Sequence, residues 1–364
     1  MRDYFKCLKL NKPNLSALNW IYRSMSGEPA IKKACNMVKI GTHDGKFHCD
    51  EVLACFLLKQ LDQYKHAEIV RTRNPVLLDE CDIVVDVGAV YDPSRHRYDH
   101  HQKTFNESLQ SLKPGKKWVT KLSSAGLVYV HFGADIIASI LNVPSGSSSI
   151  DTIYDKVYEN FIEEIDAIDN GIDQTDSVPR YRITTNLSSR VNGLNPKWND
   201  KENDETTQFE KAMKMAGTEF VDRVTFYYSS WLPARDLVVQ AINDRHKVDP
   251  SGQIIQLKDG AAPWKDHLFN LEEEMNLPKP IVYVLFPDKN EHWRVQCVPA
   301  SLNSFENRVS IKEEWRGLRD EELSQTSGIK DCIFVHTSGF IGGNKTFEGA
   351  LEMARQSLAQ SSAV

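Results

Sequence analysis

Cys81-Asp-Ile-Val-Val-Asp-Val-Gly88 is a strand pattern whose apolar centre suits a sheet that is buried on both faces. Two further strands are predicted before it, in Met37-Val-Lys-Ile-Gly-Thr-His43 and over residues 67–71, and residues 50–61 are predicted to form a helix between these two strands. Strands that alternate with helices build right-handed βαβ units. The chain is therefore predicted to contain an α/β domain with a mostly parallel sheet.

The rest of the chain predicts a second, smaller domain. Helices are expected over residues 124–141 and 153–169, followed by a polar, loop-rich stretch and a long helical pattern over 205–231. After Pro233 the pattern changes to a helix over 234–246, strands over 281–286, 293–298 and 332–336, and a last helix over 346–358. We therefore expect a first domain over residues 37–195, a helical connector over 196–232 and a smaller α/β domain over 233–364.

The composition excludes several classes of protein. The chain has 364 residues with 44 basic and 50 acidic side chains, a net charge of −6, which argues against a surface that covers long nucleic acid but not against a pocket that takes one strand end. Seven cysteines without a CxxC pair indicate reduced thiols in an intracellular compartment. No run of ~18 apolar residues is found, so no membrane span is expected.

The first 36 residues differ from the rest. They are basic, poor in acidic residues and partly amphipathic, a composition that resembles a mitochondrial presequence, and they lack the apolar run of a secretory signal. A disordered basic tail is the alternative, because Asp3 and Pro13 weaken a helix there.

Candidate metal ligands follow the first predicted strand. His43, His48 and Asp50 lie in Gly41-Thr-His-Asp-Gly-Lys-Phe-His-Cys-Asp50, between a strand and the next helix. Ligands bind at the carboxyl ends of strands in open α/β sheets, and these side chains suit Mn²⁺ or Zn²⁺. A polar surface loop is the alternative interpretation of this segment alone.

Three further positions carry the same chemistry. Asp86 closes the apolar strand, where an unpaired buried carboxylate would be costly, although a helix cap or salt bridge would also explain it. His100 and His101 follow Asp99 in a segment that is hard to explain by packing. Asp169 stands in the last turn of a predicted helix, where the helix dipole disfavours a carboxylate unless a cation compensates it.

Together these residues are too many for one ion that keeps open positions. Two divalent ions ~3.5–4 Å apart that share a bridging carboxylate would use such a set, and Asp86 is our choice for the bridge.

The order of these residues resembles the DHH phosphoesterase superfamily, and more closely the melanocyte-proliferating-gene family of DHH-type exonucleases. The resemblance covers nearly everything from residue 38 to residue 358. It rests on several long motifs: Gly41-Thr-His-Asp-Gly-Lys-Phe-His-Cys-Asp-Glu51, Val84-Val-Asp-Val-Gly88, His96-Arg-Tyr-Asp-His-His-Gln102, Thr120-Lys-Leu-Ser-Ser-Ala-Gly126, Trp231-Leu-Pro-Ala-Arg235, Trp315-Arg-Gly-Leu-Arg-Asp320 and Phe334-Val-His-Thr-Ser-Gly-Phe-Ile-Gly-Gly343. The resemblance implies a DHH-type first domain joined by the connector to a C-terminal substrate-binding domain.

The resemblance also implies roles for the site residues. The metal ligands would be His43, His48, Asp50, Asp86, His101 and Asp169. His100 would lie near the phosphate and, positioned by Asp99, would stabilise the transition state or protonate the leaving oxygen. The superfamily usually has Asp where this chain has His48, and the additional imidazole favours Mn²⁺, with Mg²⁺ and Zn²⁺ as the alternatives.

The implied activity is 3′-to-5′ trimming of RNA, by phosphodiester hydrolysis with a water that two ions activate. In the second domain, a glycine-rich loop before the last helix would hold phosphate through backbone amides. The substrate-binding candidates are Arg180, Arg182 and Arg190, for which a solvated face is the alternative, and His336, Ser338, Gly342, Gly343 and Lys345. The expected location is mitochondrial, nuclear or both, with the cytoplasm as an alternative.

The sequence also allows three other functions. A small-molecule phosphatase, such as a manganese pyrophosphatase, would use the same metal centre. A non-enzymatic scaffold with a vestigial site would bind no metal. A structural zinc module would have a closed four-ligand site, which the absence of cysteine pairs disfavours. The RNA target and the oligomeric state are not predicted.

Overall fold

The computed structural model describes residues 37–200 and 204–361, which form two compact units. The first unit ends at Tyr228 and the second begins at Ser229, within the segment predicted as a connector. The predicted N-terminal extension, residues 1–36, lies outside the described residues. Each unit contains both helices and a five-stranded sheet, so the α/β class is confirmed.

The sheet of the first unit has the strand order β2-β1-β3-β5-β4. Its strands are β1 (Lys39–Thr42), β2 (Glu68–Arg71), β3 (Ile83–Val85), β4 (Tyr91–Asp92) and β5 (Arg97–Tyr98). Strand β1 pairs in parallel with β2 and β3, β3 pairs in parallel with β5, and β4 alone is antiparallel. The carboxyl ends of β1, β3 and β5 therefore meet at one edge, as a mostly parallel sheet requires.

Helices cover this sheet. Their bounds are α1 (Cys49–Leu58), α2 (Pro75–Asp79), α3 (Leu109–Leu112), α4 (Ser124–Leu141), α5 (Ser148–Val157), α6 (Glu163–Asp169), α7 (Leu187–Asn192) and α8 (Glu205–Phe226), with a 3₁₀ turn over Pro93–Arg95 and a π-helical segment over Tyr158–Ile162 between α5 and α6. Helix α1 is buried along almost its whole length and packs against α4 and α8. The first turn of this central helix contains two acidic residues, Asp50 and Glu51, both fully buried.

Helix α4 is long and apolar enough, by length and composition alone, to cross a membrane. Polar residues, Ser124, His131, Asp135 and Ser139, interrupt it, so it is not the continuous apolar run that a membrane span requires. In the structure 67% of this helix is buried, against α1, α5, α6 and α8. Its apolar character follows from that burial, as in the core helix of a globular domain.

The second unit has the strand order β6-β7-β8-β10-β9. Its elements are α9 (Leu232–Asn243), α10 (Arg245–Val248), β6 (Ile254–Gln256), α11 (Lys265–Glu274), β7 (Tyr283–Pro287), β8 (Trp293–Cys297), a 3₁₀ turn (Glu313–Trp315), α12 (Asp320–Ser327), β9 (Cys332–Val335), β10 (Ile341–Asn344) and α13 (Phe347–Ser361). The residues of β7 alternate between two apolar clusters, because successive side chains of a strand point to opposite faces. Both faces of this sheet are therefore buried.

The glycine-rich segment before the last helix is a turn over residues 337–340 and strand β10 over Ile341–Asn344, so the prediction of a loop is wrong for its second half. Gly342 pairs with Val295 of β8 and with Val335 of β9, and Gly343 follows it in the same ladders. Apolar partners on both sides compensate for the low strand propensity of glycine. The backbone amides of these two glycines lie in a sheet interior and not at a helix N-terminus.

Candidate metal centre

The candidate ligands lie at the ends of elements that meet at one edge of the first sheet. His43 follows β1, Asp86 follows β3, and His100 comes shortly after β5. Asp50 lies in the first turn of α1, and Asp169 is the last residue of α6. The parallel topology thus brings together side chains that are up to 126 positions apart, from 43 to 169.

Three groups of side chains have ligand atoms within 4.8 Å of one another. Asp86 and His100 each belong to two of the groups, so the groups form one cluster. The members are His43, His48, Glu51 and Asp86; Asp86, His100 and His101; and Asp50, His100 and Asp169.

Asp86 lies in the middle of the cluster and faces both sides. Its Oδ2 is 3.4 Å from Nε2 of His43, and its Oδ1 is 3.4 Å from Nε2 of His100. The residue has φ +58°, in the left-handed region that costs a non-glycine residue about 1 kcal/mol or more. The chain turns sharply after β3 at this strained position, and the turn is where the carboxylate enters the cluster.

Asp50 is the clearest sign that a cation belongs here. Its side chain is fully buried, and neither carboxylate oxygen has a hydrogen-bond partner among the described residues. Burial and the negative charges of Asp86, Asp169 and Glu51 raise the pKa of Asp50 well above its usual value. A buried carboxylate with no partner is strongly unfavourable unless it is neutralised by a proton or by a cation.

The buried imidazoles are oriented as metal ligands are. Nδ1 of His43 lies 3.0 Å from the backbone oxygen of Asp44, which can only accept, and 3.3 Å from the guanidinium of Arg73, which can only donate; the shorter contact favours a hydrogen on this nitrogen. Nδ1 of His100 lies 3.3 Å from Oδ1 of Asn170, whose amide nitrogen donates to the backbone oxygens of Lys121 and Asp166. In both rings Nδ1 faces an acceptor outside the cluster, and Nε2 points toward the carboxylates, where it can carry a proton or, with that proton lost, ligate a cation.

Nε2 of His100 has several carboxylates around it and no well-directed hydrogen bond. It lies 3.0 Å from Oδ2 of Asp169, 3.4 Å from Oδ1 of Asp86 and 4.0 Å from Oδ2 of Asp50. Burial alone would lower the pKa of His100, but Asp169 and Asp86 outweigh it and raise the pKa to about 10. Without a metal ion, a proton on this ring supplies the positive charge that the carboxylates require.

His43 has the same electrostatic environment on the other side of Asp86. Its Nε2 is 3.0 Å from Oε1 of Glu51. Burial would lower its pKa, yet Asp86 and Glu51 raise it to about 10. The pKa of Asp86 shifts the other way: burial would raise it, but the two imidazoles hold it well below its usual value.

His101 differs from its neighbour. Its side chain is 60% exposed, and its Nδ1 donates to Oδ1 of Asp99 over 2.7 Å. Asp99 also accepts the backbone N–H groups of His101 and Ala89. The predicted contact between Asp99 and His100 is therefore replaced by one between Asp99 and His101, because adjacent side chains leave the backbone in different directions.

Two participants are missing from the sequence-based set. Glu51 accepts the N–H of His48 over 2.9 Å while it faces His43, but an acidic residue in a first helical turn is explained by the helix dipole alone. Ser124, at the start of α4, donates to Oδ1 of Asp86 over 3.2 Å. No spacing pattern in the sequence indicates this contact.

The arginines predicted to bind substrate in the first unit are not brought into the cluster. Arg180 and Arg182 lie in an exposed loop, and Arg190 forms an ion pair with Glu219. In the second unit, Nδ1 of His336 lies 2.9 Å from Oγ of Ser338. Lys345 is exposed, with its Nζ 3.7 Å from Asp331. Their substrate-binding roles stay predictions.

Comparison with known proteins gives a family for the chain. The family model MYG1_exonuc, described as an uncharacterised protein family (UPF0160), matches residues 39–358. The MYG1 exonuclease of Homo sapiens is 56% identical over 325 residues, which cover 89% of this chain and 86% of the human protein. The MYG1 exonuclease of Mus musculus is 54% identical over 358 residues, covering 96% and 94%.

The similarity extends to distant organisms. The MYG1 protein YER156C of Saccharomyces cerevisiae is 45% identical over 345 residues, covering 92% of this chain and all of the yeast protein. No solved structure matches the chain. Since the family model spans nearly all the described residues, the chain belongs to the MYG1 exonuclease family.

Proposed function

We propose that this protein is a metal-dependent phosphoesterase, and specifically a 3′-5′ RNA exonuclease. The observation that carries the proposal is Asp50, a fully buried carboxylate whose oxygens lack partners in the described structure and which faces Asp86, Asp169 and His100. Relatives with 54–57% identity are named exonucleases, which supports a nucleic acid substrate.

The donor set would suit two divalent ions, with Asp86 as a residue that could serve both. Oxygen and imidazole ligands in this proportion suit Mn²⁺, with Mg²⁺ or Zn²⁺ as alternatives. One ion would be held by His43, His48 and Asp86, and the other by Asp50, Asp86, His100 and Asp169. Such ions supply charge neutralisation at the phosphate and Lewis-acid activation of a water.

The geometry favours an exchange of the roles that the family resemblance implies for the two adjacent histidines. His100 is buried among carboxylates and would be a ligand. His101 is exposed, and the hydrogen bond to Asp99 raises its pKa. A protonated His101, held by Asp99, can stabilise negative charge on the phosphate or give its Nε2 proton to the leaving oxygen.

Removal of the shared carboxylate tests the proposal. Asp86→Asn keeps the side-chain volume, and asparagine tolerates the left-handed backbone. Because the bridge would contribute several kcal/mol, we expect release of nucleotides from 5′-labelled RNA with Mn²⁺ to fall about a hundredfold or more. Asp82→Asn is the matched control, since Asp82 is exposed in the same segment and accepts the N–H of Lys39.

Substrate and metal measurements separate the alternatives. RNA shortened from its 3′ end by the wild-type protein, with Mn²⁺ retained after purification, supports the proposal. Turnover of pyrophosphate without cleavage of RNA would assign a small-molecule phosphatase. An Asp86→Asn protein that digests RNA at the normal rate would refute the assignment of the centre.

A further inference from the structure

A cavity of about 320 Å³ opens beside the metal centre in the first unit. His48 and Asp169 belong both to its wall and to the candidate ligand groups. Ile165 and Ile168 of α6 give the wall an apolar part, and Ser189 and Asn192 of α7 add polar groups. The cavity is therefore continuous with the centre but has a chemistry of its own.

The polar groups of α7 in this wall are neutral, and two of them are available, whereas Ser188 contacts Cys49. Among the residues that the structure describes, Oγ of Ser189 and the side-chain amide of Asn192 make no hydrogen bond. The wall contains no lysine or arginine in the part of the chain described. Hydroxyl and amide groups beside an apolar surface match a sugar, which has hydroxyls that donate and accept, better than they match a phosphate.

Helix α7 is held in place relative to the metal centre. The side chain of Asn195, just after α7, accepts the N–H of Phe47 over 2.9 Å and donates to the oxygen of Phe47 over 2.8 Å. It also donates to the backbone oxygen of Asn192 over 3.3 Å. Phe47 directly precedes His48, so this clamp fixes the end of α7 to the ligand loop, as a pre-organised binding wall requires.

We propose that this cavity binds the ribose next to the scissile phosphate and recognises its 2′-hydroxyl through Ser189 and Asn192. This inference rests on the proposed function. In a nucleic acid, each sugar is joined to the phosphate by a single oxygen. A cavity that shares His48 and Asp169 with the metal centre, where the scissile phosphate would bind, therefore lies within reach of that sugar. The 2′-hydroxyl is the group by which a protein distinguishes RNA from DNA at one position.

The test compares substrates that differ by one hydroxyl. A short 5′-labelled RNA and its counterparts with a single 2′-deoxynucleotide, at the last or the next-to-last position, are digested with Mn²⁺, and kcat/KM is measured for each. We expect the wild-type protein to prefer the all-ribose RNA. In Ser189→Ala and Asn192→Ala, the preference should fall roughly three- to tenfold, as expected for one neutral hydrogen bond.

Asn160→Ala is the matched control, because Asn160 is an exposed asparagine of the same unit outside the cavity, whose side-chain amide donates to the backbone oxygen of Lys156. Its preference should remain at the wild-type value. Bound Mn²⁺ is measured in every variant, and equal contents show that the centre is intact.

The outcomes are distinguishable. An unchanged preference in both cavity variants overturns the ribose assignment alone, and so does an equal loss on every substrate, which would indicate contact with the base or phosphate. A wild-type protein that shortens neither RNA nor its deoxy-substituted counterparts overturns the proposed function and the ribose assignment together.

Discussion

The hydroxyl of Ser124 lies 3.2 Å from Oδ1 of Asp86, and both groups are buried. This contact connects the first residue of α4 with the centre of the candidate metal site. The preceding residue, Ser123, is fixed in turn by Asp166, which accepts its N–H over 2.9 Å and its hydroxyl over 2.7 Å. Because Ser123 and Ser124 are adjacent, the hydrogen bonds to Asp166 fix the start of α4, and Ser124 in turn orients the carboxylate that both ions would share.

Ser124→Ala should weaken metal binding without unfolding the protein. Hydrogen bonds that orient a ligating carboxylate typically contribute ten- to a hundredfold in metal affinity. We expect the affinity for Mn²⁺, measured by calorimetry, to fall about tenfold. Ser139→Ala, on the exposed side of the same helix, is the control and should bind as the wild type does. Equal affinities in the two variants would exclude an orienting role for Ser124.

Gly126→Ala tests the contact between Asp166 and the start of α4. A Cβ at this position would lie 2.2 Å from Oδ1 of Asp166, which is fully buried and cannot move aside. Overpacking of this kind costs about 1–3 kcal/mol, so thermal unfolding should occur at a lower temperature. Affinity for Mn²⁺ should also fall, since a displaced Asp166 shifts Ser123 and Ser124. Gly133→Ala, on the same helix but against the rings of Tyr129 and Tyr154, should lose stability without losing affinity.

Alanine variants of the two adjacent histidines, His100 and His101, should differ in whether they retain metal. His100→Ala removes a ring that lies among three carboxylates, so we expect loss of bound metal and of turnover. His101→Ala should retain metal, measured by elemental analysis, while kcat on RNA falls by about a hundredfold or more, as for other general acids. The reverse pattern would support the roles that the family resemblance implies, in which His101 is the ligand and His100 acts on the substrate.

The metal-free protein should become less stable as the pH rises above neutrality. Interactions with carboxylates raise the pKa values of His43 and His100 from the usual 6.5 to about 10 in the folded state. Raised pKa values contribute stability that is complete below the unfolded value and is lost as the pH approaches the folded value. Chelator-treated protein should therefore show a Tm that decreases between about pH 6.5 and 10, and added Mn²⁺ should oppose this decrease. A Tm that rises over this range would contradict the electrostatic account.

The sequence predicts the first unit well because its signals are local. Apolar strands such as Ile83–Val85 and the ligands at their ends follow from hydrophobic pattern and residue chemistry. The features that the sequence does not predict are those that depend on the direction of side chains and on the pairing of distant strands. The different orientations of His100 and His101 arise from the backbone after β5, and Ile341–Asn344 becomes a strand only because β8 and β9 flank it.

Arg180 and Arg190 allow a test of contacts with the RNA phosphates, because only one of these two arginines is held in an ion pair among the described residues. The guanidinium of Arg190 donates to Oε2 of Glu219 over 2.8 Å, whereas Arg180 is exposed and makes no ion pair in the described residues. If Arg180 contacts the RNA backbone, Arg180→Ala should raise KM several-fold and reduce the salt dependence of binding by about one unit of slope. Arg190→Ala should instead change stability by less than about 1 kcal/mol, since its ion pair is largely exposed, and leave the salt slope unchanged. An unaltered salt slope in Arg180→Ala would show that this loop is solvated and does not bind substrate.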